Sequence, residues 1–362
     1  MQGFRIFMLC MMMRLTALMT YCWMACVLAS CVGSASSDAI EVNLLHTDVD
    51  TIAYSAFVDS IEYIPLETTE ECLVGEVTDV VMAGDRLFVF DAKQQEVWSF
   101  DRSGRYVGRL GRRGEGPGEY LSIAQFEYDH RDSLLAVLTF VEAPCVQYYS
   151  PDGTYVKTVK LGMPADDFKL GADGSFILSC AGRDDPSAGI YHADASGGAV
   201  RPLVTRKQGQ LVYTTFPWEL CSYGDVVSFM SPVFDNAVYH WQGDSLRLAY
   251  PFRMLPALSR EYEETVSLQD MQDYIRSSYV EGERWIYATY WSADRDRGLR
   301  VFLYSKADGR HWVARGLKND MDAVEPGFWT SYTDGNVFVM SQYGEDPDRN
   351  PVIQVLHLKN FN

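Results

Sequence analysis

What most constrains this chain is a repeat of four short β-rich runs separated by turns. From Gly75 to Tyr120 the sequence reads GEVTDVVMAGDRLFVFDAKQQEVWSFDRSGRYVGRLGRRGEGPGEY. The runs are Glu76–Ala83, Arg86–Asp91, Glu96–Asp101 and Arg105–Leu110. Between them lie Gly84-Asp85, Ala92-Lys93-Gln94-Gln95 and Asp101-Arg102-Ser103-Gly104. Short strands joined by Gly/Asp turns form an antiparallel meander. A lone sheet of this size leaves a face uncovered, so any recurrence implies sheets stacked around a common axis.

The pattern recurs. The Gly84-Asp85 turn before RLFVF returns as Arg131-Asp132-Ser133 before LLAVL, Ala172-Asp173-Gly174 before SFILS, Tyr223-Gly224-Asp225 before VVSFM and Thr333-Asp334-Gly335 before NVFVM. These aspartates advance by 47, 41, 52 and 109 residues, and the last gap leaves room for one divergent unit. A second turn returns as WSFDRSGRYV, QYYSPDGTYV, GIYHADASGGAV, VYHWQGDSLRL and FLYSKADGRHWV. Together these predict an all-β fold, a six-bladed β-propeller. After the opening stretch its units run about Leu121–Pro164, Ala165–Lys207, Leu211–Met254, Gly282–Leu317 and Glu325–Asn360. The segment IEYIPLET (Ile61–Thr68) reads as a strand, with Pro65 confining it to an edge, and is expected to close the last sheet around Phe328–Lys359. Between units four and five, Leu258–Tyr279 places Leu258, Tyr262, Val266, Leu268, Met271 and Ile275 at helix-like spacing, so a short helical insertion is predicted there.

Residues 1–31 read as a lipoprotein signal peptide: Arg5 and Arg14, no acidic residue, an apolar run from Leu15 to Ala29, then Leu28-Ala29-Ser30-Cys31. Cys31 is the expected lipidation site. The run is too short for a comfortable membrane span. Residues 32–60 are then a tether and lead-in, and 61–362 the propeller. No acidic residue immediately follows Cys31, which favours the periplasmic face of the outer membrane over the surface. The chain carries 49 acidic against 31 basic residues, a net charge of −18, which repels nucleic acid. Cys72, Cys145, Cys180 and Cys221 are widely spaced, without the pairs that zinc or dithiol chemistry uses, and are expected as buried thiols.

Ile61–Asn360 resembles the six-bladed β-propeller lipoproteins of gut Bacteroidetes-type bacteria, a group related to NHL-repeat propellers. The lipobox, IPLET, Phe100–Tyr120, Tyr149–Val156 and above all the string from Arg112 to Tyr120 carry the resemblance. It implies a fold and a cell-envelope location, not a reaction.

In a propeller the loops between blades, with those joining second to third strands, surround one mouth of the central channel. Arg112, Arg113, Glu115 and Glu119 fall in the first interblade connection. The arginines would fork onto a carboxylate or phosphate, or pair with Glu115 and Glu119 in a turn shaped by Gly-Pro-Gly. The second-to-third connections bring Asp184, Asp185, Asp294, Arg295 and Tyr343 to the same rim, joined by Trp218, Trp291 and Trp329. Aromatic faces with mixed polar groups suit a glycan or peptide. The acids would also supply oxygen ligands for Ca²⁺, though no EF-hand spacing is present and no other cofactor is suggested. His192 and His240 occupy third-strand positions away from the axis, and His130 sits near the opposite mouth. No catalytic motif is visible. The expectation is a monomeric, lipid-anchored binding or scaffold protein for a glycan, peptide or envelope protein. The alternative is a metal- or carboxylate-dependent hydrolase or lyase acting in the channel.

Overall fold

The computed structural model describes residues 39–140, 143–180, 189–205, 220–230, 236–255, 274–292, 298–329, 332–344, 346 and 348–360. They form a six-bladed β-propeller of four-stranded antiparallel sheets. Blade 1 has strands Asp79–Ala83, Arg86–Asp91, Glu96–Asp101 and Tyr106–Arg109, close to the runs read from the sequence. Blades 2 to 5 span Ile123–Lys160, Asp167–Thr205, Leu220–Tyr250 and Tyr274–Ala314. First strands of neighbouring blades approach one another, so these strands line the axis.

The sixth blade joins the two ends of the propeller. Phe328–Trp329, Val337–Gln342 and Val352–Leu358 provide three strands, and Val58–Pro65 adds the fourth, antiparallel to Val352–Leu358 with Ile64 opposite Ile353. The closure expected of the IPLET segment is therefore present. Before reaching blade 6 the chain lays Ile40–Asn43 parallel to Phe252–Leu255 and Thr51–Ala53 parallel to Gly316–Lys318. Tyr54 and Phe57 follow, fully buried, with Phe57 edge-on to Trp285 at 6.0 Å.

The core lies between blades. Along Arg86–Asp91, Leu87 and Val89 pack toward blade 6 while Phe88 and Phe90 pack toward blade 2. Both faces are covered, which is why RLFVF reads as a continuous apolar run. Interblade spacing is set partly by third-turn glycines in the left-handed region. Gly104 has φ +84°, and a Cβ there would lie 2.0 Å from the Pro65 carbonyl oxygen. Gly153 and Gly197 meet the carbonyls of Arg109 and Lys160 in the same way, one blade further on each time. Cys72, Cys145, Cys180 and Cys221 are buried, and burial pushes the Cys72 thiol up to about 12.

One expectation needs correction. Tyr274–Tyr279, assigned from its spacing to a helical insertion, belongs to a strand, Tyr274–Glu281, the innermost of blade 5. A bulge between Arg276 and Ser278 breaks its alternation, so the period of two that marks a strand is missing there. The rest of the predicted insertion, to residue 273, lies outside the described residues. Blade 5 accordingly begins at Tyr274, not Gly282, and the described residues contain no α-helix.

Candidate functional site

An innermost strand bonds its own second strand along one edge and turns the other toward the axis, where its N–H groups need acceptors. Carboxylates supply them. Asp79 accepts the Val80 N–H at 2.8 Å; Asp167 accepts those of Phe168 at 2.7 Å and Leu220 at 3.1 Å. Glu127 accepts the Leu170 N–H at 2.8 Å and the Ser222 hydroxyl at 2.9 Å, tying blades 2, 3 and 4 together. All three acids are buried. Burial pushes the Asp167 carboxyl up to about 7 against the pull of Lys169, and burial likewise raises Glu127. Lys169, 6% exposed, stands among them. Burial opposes its charge, yet the fields of Glu127, Asp167 and Asp79 outweigh that and hold it protonated. Among the described residues Lys169 makes no direct hydrogen bond or ion pair.

This charged layer lies between two cavities. At the mouth where inner strands begin is a 680 Å³ cavity with Thr78, Gln125, Asp166 and Ser277 in its polar wall. Ser277 and Ser278 each place their hydroxyl 2.6 Å from that of Thr289. Met340, Val301 and Leu317 add apolar surface. Trp291, 54% exposed, and Tyr343, 40% exposed, stand on the rim. The Tyr343 hydroxyl accepts the Val77 N–H at 2.5 Å, which fixes its ring across the start of blade 1.

At the opposite mouth a 430 Å³ cavity is lined by Glu127, Lys169, Ser222 and Tyr223, with Asp225 and Asp334 at exposed positions. Arg131 clamps Asp129 through two bonds of 3.0 and 2.6 Å. Behind Tyr223 is a buried cluster built on Glu281, which accepts bonds from Tyr223 at 3.1 Å and Tyr279 at 2.5 Å. It also pairs with His240 Nε2 at 2.9 Å and with Lys306. Burial alone would raise Glu281; His240 and Lys306 overcome it and bring the carboxyl down to about 2.

The residues expected from the sequence separate into three groups. Trp291 and Tyr343 line the cavity at the first mouth, and His130 lines the one at the second. Arg112, Arg113, Glu115 and Glu119 line neither cavity. Glu119 instead accepts from Arg112 at 2.5 Å and from the Gly116 N–H at 2.8 Å, while the Gly118 carbonyl accepts the Tyr149 hydroxyl at 3.1 Å. The turn is thus folded on itself and onto blade 2. Cys31, Asp184, Asp185, Trp218, Asp294 and Arg295 lie outside the described residues, and of Trp329 only the backbone is described. Asp79, Glu127, Asp167, Lys169 and the Glu281 cluster were missed. Their signal is a charged residue inside the first apolar run of a unit, as in DVVMA, FEYD, DFKL and YVE. Among the described residues no three His, Cys, Asp or Glu side chains are grouped to hold a metal ion.

A family described as Domain of unknown function (DUF4934) matches residues 39–352. No curated protein matches the chain. Among solved structures, a candidate exported protein from Bacteroides fragilis is 18% identical with a TM-score of 0.70, covering 89% of this chain and 100% of its own. A member of the DUF4221 family from Bacteroides vulgatus is 11% identical with a TM-score of 0.52, covering 83% and 97%. At these identities the likeness is one of fold.

Proposed function

The chain belongs to the DUF4934 family, and we propose that it is an exported, lipid-anchored binding protein that captures a glycan at the mouth where its inner strands begin. The observation that carries this reading is Trp291, more than half exposed beside a 680 Å³ cavity whose mostly apolar wall also carries the hydroxyls of Thr78, Ser277, Ser278 and Thr289 and the amide of Gln125. A sugar ring stacks its C–H face on an aromatic surface while hydroxyls such as those of Ser277 and Thr289 read its polar edge. Tyr343, held by the Val77 N–H, supplies a second ring that need not be ordered on binding.

The test is a glycan array read with the mature chain and with Trp291→Ala. Wild type is expected to retain a subset of glycans, and Trp291→Ala to lose about tenfold or more in affinity at an unchanged melting temperature. Retention of unchanged affinity by the variant would overturn the assignment. A second reading, a carboxylate-dependent hydrolase or lyase, draws on Asp167, which lines the same cavity and holds its proton to about pH 7. Recovery of the captured glycan intact favours binding; recovery of fragments favours the enzyme.

A further inference from the structure

The second mouth carries chemistry that the first does not use. Its 430 Å³ cavity falls within the range of about 300–1,000 Å³ usual for small-molecule sites. Lys169 lines it, 6% exposed and charged, and among the described residues its ammonium has no direct hydrogen-bond partner. An ammonium that opens onto a cavity and makes no direct bond to the protein offers its N–H donors to whatever enters, and an acceptor there satisfies them. The ammonium is surrounded by the fields of Glu127, Asp167 and Asp79, and Asp225 and Asp334 line the cavity as well. Arg131 is engaged by Asp129. The local balance is therefore negative, and a phosphate or free carboxylate would enter against it.

The acceptor that Lys169 awaits is thus uncharged, and its neighbours narrow it further. Glu127 and Ser222, which bond each other at 2.9 Å, keep lone pairs that can take a hydrogen from a ligand. A hydroxyl accepts and donates at once, so neighbouring hydroxyls on one molecule satisfy Lys169 and these oxygens together. Tyr128 and Tyr332 add aromatic surface. We infer that this cavity is a second binding site, for a neutral polyhydroxylated molecule of monosaccharide size, with Lys169 as the donor that anchors it. It is independent of the glycan site at the other mouth.

The experiment is ligand-detected NMR on the mature chain with glucose, galactose, mannose and myo-inositol, set against glucuronate and glycine, each at millimolar concentration. At least one neutral probe is expected to give saturable binding, with glucuronate and glycine silent. Lys169→Met is expected to weaken that binding by about tenfold or more. Because that variant removes the charge that balances three buried acids, Ala172→Trp provides a second arm. Ala172 lies at an exposed position on the cavity lining, and a bulky side chain there is expected to occlude the site in a folded protein. No saturable binding by any neutral probe, binding of glucuronate in their place, or undiminished binding in Ala172→Trp would each overturn the inference. So would loss of the same signal in Trp291→Ala, which would assign it to the other mouth.

Discussion

Asp167 and Glu281 are both buried acids, yet they titrate in opposite directions. Glu281 has His240 and Lys306 against it, so its ionised form is the stable one. Asp167 has two backbone N–H donors and a lysine that is not in direct contact, too little to offset burial, and its carboxyl sits at about 7 instead of 3.8. Folding therefore penalises its ionised form. Its contribution to stability is fully present below 3.8 and is lost as pH rises through about 7. Asp167→Asn removes that titration, with a pH-dependent gain of at most about 4 kcal/mol. It also gives up one acceptor, at a constant cost of about 1 kcal/mol. Melting curves should thus show the variant gaining on wild type from pH 4 to pH 8; a difference independent of pH would contradict the assignment. None of this was legible beforehand. An acid inside DFKL reads as a strand with a wet face, and only the convergence of inner strands on one axis turns that face inward.

At the scale of the strand and turn, much more could be read. The Gly/Asp turns located most blades, and two strands of blade 1, Arg86–Asp91 and Glu96–Asp101, fall where their alternation ends. The inner strand of blade 5 escaped because its bulge removes the period of two that identifies a strand. The third-turn glycines were legible as turns, but not as spacers between blades, since the carbonyl each one meets belongs to another unit. That distinction is measurable. Gly84 and Gly104 both have positive φ, but a Cβ at Gly84 meets nothing within 4 Å whereas one at Gly104 collides with Pro65. By chemical denaturation Gly84→Ala should cost about 1 kcal/mol and Gly104→Ala about 2–4 kcal/mol. Equal costs would mean that blade 6 yields freely to blade 1.

For the whole molecule, the proposed anchor, Cys31, precedes the ring in sequence. If Cys31 carries lipid, Cys31→Ala should yield a soluble protein with unchanged melting behaviour, because Cys31 precedes Ile40–Asn43, the first strand among the described residues. Membrane association that survives a high-salt wash of the variant would count against the anchor. The pairing of Val58–Pro65 with Val352–Leu358 also fixes an order of assembly. Val58–Pro65 has to wait for a strand synthesised after all the intervening blades, so the circle cannot be sealed until those blades have been delivered. Contacts this remote in sequence form slowly, and the unsealed intermediate carries an open edge at Val352–Leu358. Truncation from either terminus would therefore leave an unsealed wheel prone to self-association, not a smaller stable one.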